Sequence, residues 1–181
     1  MKHYLIIING LPATGKTTLA EKLAESLKLP IFKKDDIKEA LADDLNKTKL
    51  KDSYELGSIS RILLNYLVKQ LGNTQNYIID SNFSPGSETD EFIDIIKGLN
   101  TIEIFLKADG KILFDRFSHR MKNRHRIHLE HHIGLDSFKD TINQGMLKPL
   151  NEGLLIEVDT TDFSLVDYNK IISQVSSYLA G

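Results

Sequence analysis

The chain has 181 residues, 41% hydrophobic and 27% charged, which is enough for one compact α/β domain and short for two. Its formal net charge of −2 argues against a general nucleic-acid-coating surface. With no cysteine, it can form neither a disulfide framework nor a thiolate metal site, which suits a reducing, cytoplasmic setting.

Tyr4–Ile8 is a continuous apolar run, too short for a membrane span or a signal-peptide core, and reads as a buried strand. A glycine-rich turn follows at once, then a helix from about Lys16 to Leu27. Leu29–Phe32 reads as a second strand, and Asp35 is well placed to cap the helix that carries Ile37, Ala40 and Leu41. From Tyr54 to Leu71 the apolar positions Leu56, Ile59, Leu63, Leu67 and Leu71 recur at helical spacing, and Gly72 ends the run. Tyr77–Ile79 is a third strand ending at Asp80. Glu88–Leu99 is a helix with Phe92, Ile95, Ile96 and Leu99 inward. Ile102–Leu106 and Leu154–Val158 are two more strands on either side of a basic helical segment, and Leu165–Leu179 closes the chain as an amphipathic helix.

Strands alternating with helices in this way predict a five-stranded, mostly parallel sheet with helices on both faces, in one domain spanning 1–181. Ligands of such sheets bind beyond the carboxyl ends of the strands. Gly10, Asp35, Asp80 and Thr160 all follow predicted strands, so their polar groups should meet in one crevice.

The segment Gly10, Leu11, Pro12, Ala13, Thr14, Gly15, Lys16, Thr17 fits G-x-x-x-x-G-K-[ST], the Walker A or P-loop pattern, between a strand and a helix as the motif requires. Glycines let the backbone curl so that successive N–H groups point at phosphate oxygens, and the helix adds its positive dipole end. Lys16 is expected to reach the β- and γ-phosphates of ATP, and the Thr17 hydroxyl to be a ligand of Mg²⁺.

Among the acidic residues, Asp35 faces the phosphate loop from the end of its strand. It suits a general base for an attacking hydroxyl, whether or not it also caps its helix. Asp80 is placed to orient Mg²⁺ water or the acceptor. Asn82 suits substrate holding, although an Asn ahead of Pro85-Gly86 is equally a turn residue.

Four of the five arginines and five of the six histidines lie between 116 and 132. A charge run of this kind is often a solvated helix face, but lysine outnumbers arginine 18 to 5 here, so solubility alone does not explain the gathering. Arg116, Arg120 and Arg124 are spaced by four and would share a helix face over bound phosphates. His125, His128 and His131 invite a metal reading, but no carboxylate or thiolate clearly shares their face.

The pieces Gly10–Thr17 with Thr18, Lys34-Asp35-Asp36-Ile37-Lys38 and Ile78-Ile79-Asp80-Ser81-Asn82-Phe83 occur in an order that resembles the predicted-kinase branch of P-loop proteins. That branch includes polynucleotide 5′-kinases, zeta-toxin kinases and chloramphenicol phosphotransferases. The stretch Arg116 to His125 resembles their lid (about 116–134), and Val158 to Thr161 resembles the turn beside the adenine. The resemblance implies ATP-dependent transfer to a hydroxyl with Mg²⁺. It makes Asp35 the base, Asp80 and Asn82 acceptor-side residues, Arg120 the leading lid arginine, and Arg116 and Thr160 nucleotide-side residues. Lys38 stands where family members usually carry Arg, keeping the charge without the bidentate fork. The acceptor is left open among a small molecule, a nucleotide and a nucleic-acid end, with no membrane partner expected. The alternative is a regulatory ATPase switch that transfers phosphate only to water.

Overall fold

A computed structural model describes residues 2–128, 142 and 147–181 of the chain. Five strands, β1 (Leu5–Gly10), β2 (Ile31–Lys33), β3 (Tyr77–Asp80), β4 (Thr101–Lys107) and β5 (Leu154–Asp159), form one sheet in the order β2-β3-β1-β4-β5. Every pairing is parallel. Among the described residues, six α-helices connect and cover it: α1 (Lys16–Leu27), α2 (Lys34–Asp44), α3 (Leu50–Leu71), α4 (Ser87–Ile96), α5 (Gly110–Arg120) and α6 (Tyr168–Ala180).

The period of two along β1 explains why both faces are covered. Ile6 and Ile8 point into one core with Leu19 and Leu23 of α1 and Ile171 and Val175 of α6. Leu5 and Ile7 point the other way, against Leu64 and Val68 of α3 and Phe92 and Ile96 of α4. Each such side chain, fully removed from water, contributes about 1.5–3 kcal/mol.

Three local expectations need correction. Helix α2 starts at Lys34 with Lys33 as its N-cap, so Asp35 lies in the first helical turn and does not cap it. The buried stripe of α3 is Ser53, Leu56, Ser60, Leu64 and Val68, while Ile59 and Leu63 are exposed. Small serines within this stripe let α3 pack closely on α2, and the Ser60 hydroxyl is satisfied by the Leu56 carbonyl at 2.6 Å. The last helix begins only at Tyr168, where Asp167 caps it by accepting from the Lys170 backbone N–H at 2.9 Å. Leu165 lies ahead of it in a 3₁₀ turn and is exposed.

Among the described residues, no helix is long and apolar enough to cross a membrane.

Candidate phosphate-binding and acceptor site

The phosphate loop leaves the central strand β1. Gly10 (φ +149°) cannot be replaced without strain: an added Cβ would sit 2.5 Å from the Leu106 carbonyl oxygen of β4. Gly15 (φ +88°) is the left-handed N-cap of α1, and its absent side chain makes room for the ring of Phe163, 2.8 Å from where a Cβ would lie. Beneath the loop, Asn9 and Glu103 form a fully buried polar pair. Asn9 Nδ2 donates to Glu103 Oε1 at 2.8 Å, and Asn9 Oδ1 accepts from the Gly10 backbone N–H at 2.8 Å. Glu103 also accepts from the backbone N–H of Leu150 at 2.8 Å, and burial raises its pKa. This network pins the first residue of the loop to β4. Its only sign in the sequence is a polar residue interrupting each of two apolar runs, which does not by itself reveal a pair.

Lys16 folds back over the loop and donates to the Leu11 carbonyl at 2.9 Å, while the Thr14 hydroxyl donates to the same oxygen at 2.8 Å. Desolvation lowers the Lys16 pKa to about 8, against the opposing pull of Asp80 and Asp35. Thr17 Oγ1 donates to Asp80 Oδ2 at 2.7 Å across the β1–β3 seam. Burial raises the Asp80 pKa, opposed by Lys16 and by the Thr17 hydrogen bond. A hydroxyl and a carboxylate side by side next to a phosphate loop are hard oxygen donors of the kind Mg²⁺ takes, with substrate phosphates and water completing its shell. The residues present therefore fit the ion. Thr18 is exposed on the outer side of α1.

Asp35 lies across the cleft. Arg124 Nη2 donates to its Oδ2 at 2.8 Å. Burial alone would raise the Asp35 pKa, but Arg124, His128, Lys34 and Lys38 outweigh it, so the carboxyl is held below its ordinary range. Lys38 is 7% exposed and donates to Ser53 Oγ at 2.7 Å, and burial lowers its pKa to about 8. Asn82 Oδ1 accepts from Lys34 Nζ at 3.2 Å. Lys16, Thr17, Asp35, Lys38, Asp80, Asn82, Arg120 and Arg124 all line one cleft of about 720 Å³. Of the four strand-end residues expected to converge, Asp35 and Asp80 line this cleft, and Gly10 and Thr160 do not.

The arginine series is not one helical stripe. Helix α5 ends at Arg120, a 3₁₀ turn covers Met121–Asn123, and Arg124 is extended. Arg120 and Arg124 face the cleft. Arg116 turns instead to the β5 end, donating to the Thr160 and Thr161 carbonyls at 2.8 and 2.9 Å and stacking on Phe163 at 3.7 Å. Thr160 itself is tied to β4 by its backbone N–H and its hydroxyl, both on the Lys107 carbonyl. Beyond Arg124 the chain docks on α2: His125 and Arg126 meet Asp43, and His128 meets Glu39, each at 3.1 Å. Among the described residues, no three His, Cys, Asp or Glu side chains are grouped to hold a metal. His131 and the 129–134 part of the expected lid lie outside the described residues.

Arg61 and Asn65 of α3 also reach this region, and no motif in the sequence marks either of them. Arg61 is the one arginine outside the basic segment, and it pairs with Glu88 at the start of α4. Asn65 is 4% exposed, and neither of its side-chain polar atoms has a hydrogen-bond partner. Leaving such a group unpaired costs about 1–3 kcal/mol, which native proteins seldom tolerate without a reason.

With this geometry the molecule is a P-loop protein of the α/β class. A family profile described as an AAA domain matches residues 5–141, and the chain belongs to that family. A crystal structure from Chloroflexus aurantiacus J-10-fl, named only as a candidate kinase, is 30% identical over 98% of each chain with a TM-score of 0.86. A shikimate kinase from Bacteroides thetaiotaomicron (17% identity, all of both chains, TM-score 0.61) shares the fold. So does a gluconokinase from Sinorhizobium meliloti 1021 (16% identity, 97% of this chain and 90% of that one, TM-score 0.58). A search among curated proteins found no match.

Proposed function

We propose that this protein is an ATP-dependent kinase that transfers the γ-phosphoryl group to a hydroxyl of a small-molecule or nucleotide acceptor. The observation that carries the reading is that one cleft joins the phosphate loop, the Thr17–Asp80 pair and the carboxylate of Asp35. In this reading a phosphoryl donor, its metal and a proton acceptor for the attacking hydroxyl share the cleft at the carboxyl ends of the strands. The kinases among its structural relatives support this reading, as does the resemblance to the predicted-kinase branch.

In this reading the loop N–H groups and Lys16 bind the phosphates, and Thr17 and Asp80 hold Mg²⁺. The chemistry Mg²⁺ supplies when bound is neutralisation of charge on the β- and γ-phosphate oxygens. Asp35 accepts a hydrogen bond from the acceptor hydroxyl and takes its proton as the new O–P bond forms and the bond from the γ-phosphorus to the bridging oxygen breaks, releasing ADP. Its lowered pKa keeps it an anion, ready to accept, at neutral pH. Lys38 and Asn82 face the acceptor. Arg120 and Arg124 stabilise the charge that spreads over the transferring group, and Arg116 with Thr160 borders the base of the nucleotide. Closure of the basic segment excludes water and limits wasteful hydrolysis.

The test is consumption of Mg²⁺–ATP by the purified chain with and without hydroxyl compounds of several classes: polyols, sugar acids, nucleosides and oligonucleotide 5′-ends. Consumption rising severalfold with one class supports the kinase. A rate indifferent to every class supports a regulatory ATPase.

A further inference from the structure

Beside the cleft, between α3 and the turn after β3, lies a recess of about 90 Å³ bordered by Lys34, Arg61, Asn65, Ser81, Asn82 and Ser84. It is continuous with the main cleft, because Lys34, Arg61, Ser81, Asn82 and Ser84 border both. Its volume is several times what one ordered water needs, so a carboxylate or phosphate group fits. Two observations bear on what it receives. Asn65 is buried with both Nδ2 and Oδ1 unpaired, and Arg61 Nε beside it is also buried without a partner. Lys34 and Arg61 border the recess with one carboxylate, Glu88, which pairs with Arg61; burial lowers the Lys34 pKa against the opposing pull of Asp35, Glu88 and Asp80.

We propose that this recess is a specificity subsite that binds an anionic, oxygen-bearing substituent of the phosphoryl acceptor. Arg61 Nε, Asn65 Nδ2 and Lys34 donate to its charged oxygens, and Asn65 Oδ1 accepts from a neighbouring hydroxyl of the same group. The assignment rests on the kinase reading above and narrows it: the acceptor is a hydroxyl compound that also carries a carboxylate or a phosphate monoester. A neutral polyol can pair the same three buried polar atoms but brings no counter-charge to Lys34 and Arg61, so it binds more weakly than an anion, whose hydrogen bonds there are charge-assisted.

The test separates the subsite from the nucleotide site. The full chain is first saturated with the Mg²⁺ complex of a non-hydrolysable ATP analogue, which occupies the phosphate loop, and the analogue's affinity is recorded. Inorganic phosphate, and acetate in a second arm, are then titrated while the side-chain amide resonance of Asn65, identified by its absence from Asn65→Leu, is followed by NMR. Saturable movement of that resonance is expected with at least one anion, and the tighter arm names the substituent. Arg61→Gln should weaken this anion binding at least about tenfold, since it removes a charge-assisted donor. Asn65→Leu, followed through a reporter amide of Ser81 or Asn82, should weaken it similarly, with no fall in Tm because volume is kept and unpaired atoms are removed. An Asn65 resonance that ignores both anions overturns the proposal, as does Arg61→Gln binding them like the wild type. If the analogue itself fails to bind, the kinase reading fails separately, and the same comparison of variants still judges the recess.

Discussion

The guanidinium of Arg124 donates to the carboxylate of Asp35 at 2.8 Å, joining residues 89 positions apart in sequence. Arg124 belongs to the basic segment and Asp35 to the first turn of α2, so this pair ties that segment to the α2 wall of the cleft. The same contact keeps Asp35 ionised by lowering its pKa. Replacing Asp35 with Asn keeps the shape and removes the charge. Nucleotide affinity should be preserved, while phosphoryl transfer falls by roughly two to four orders of magnitude, the usual scale for a lost general base. Affinity and turnover measured on one preparation decide the matter; unchanged turnover removes Asp35 from the mechanism.

Arg120→Lys isolates the role of a planar fork. The charge is kept, so a residue that merely sits in solvent should tolerate the change fully. If Arg120 grips the transferring group through two hydrogen bonds, kcat falls at least roughly tenfold and ATP affinity changes little. Arg116→Lys should behave differently. Its partners are the Thr160 and Thr161 carbonyls and the Phe163 ring, so the loss should appear mainly as weaker nucleotide binding.

Asp80→Asn tests the metal assignment. The Thr17 hydroxyl can still donate to the amide oxygen, so the local structure survives while a charged ligand disappears. The Mg²⁺ concentration for half-maximal turnover should rise by about tenfold or more. Mg²⁺ titrations of the two proteins that superimpose would take Asp80 out of the metal site.

The lowered pKa of Lys16 gives nucleotide binding a pH signature. In the free protein Lys16 titrates at about 8, and bound phosphates favour its charged form, raising that value. Above about pH 8 the complex therefore holds more protons on Lys16 than the free protein does. Binding takes up a proton there, and affinity falls as pH rises; well below 8 both states are charged and the dependence vanishes. Calorimetry at pH 8.5 in buffers of different ionisation enthalpy should register the uptake for wild type. Lys16→Met should reduce it, since Lys16 sits against the loop carbonyl of Leu11, where the phosphates would bind.

Much of this arrangement is written locally in the sequence. The strands of the sheet stand out as short apolar runs, and the phosphate loop has its own spacing. Those two signals are enough to gather Lys16, Asp35 and Asp80 into one crevice. Features that depend on tertiary contact are not legible in this way. Asn9 and Glu103 are 94 positions apart, and each alone looks like a flaw in a strand. The buried stripe of α3 runs through Ser53 and Ser60, which an apolar periodicity skips, so the periodicity finds Leu56 and Leu71 but adds the exposed Ile59 and Leu63 and leaves Arg61 and Asn65 unmarked. The fourfold spacing of the arginines suggests a continuous helix, yet α5 stops at Arg120 and sends Arg116 and Arg124 to different partners. Asp35 resembles an N-cap because Asp often is one, whereas the helix has already begun at Lys34.

The central claim is that the phosphoryl group held by this loop goes to a hydroxyl and not to water. It is tested most directly by following the label from γ-³²P ATP, with Mg²⁺ and anionic hydroxyl acceptors, in wild type and Lys16→Ala. Labelled phosphate ester is expected with wild type for at least one acceptor, and none with Lys16→Ala, whose loop has lost its charge. Label released by wild type only as inorganic phosphate, whatever the acceptor, would contradict it.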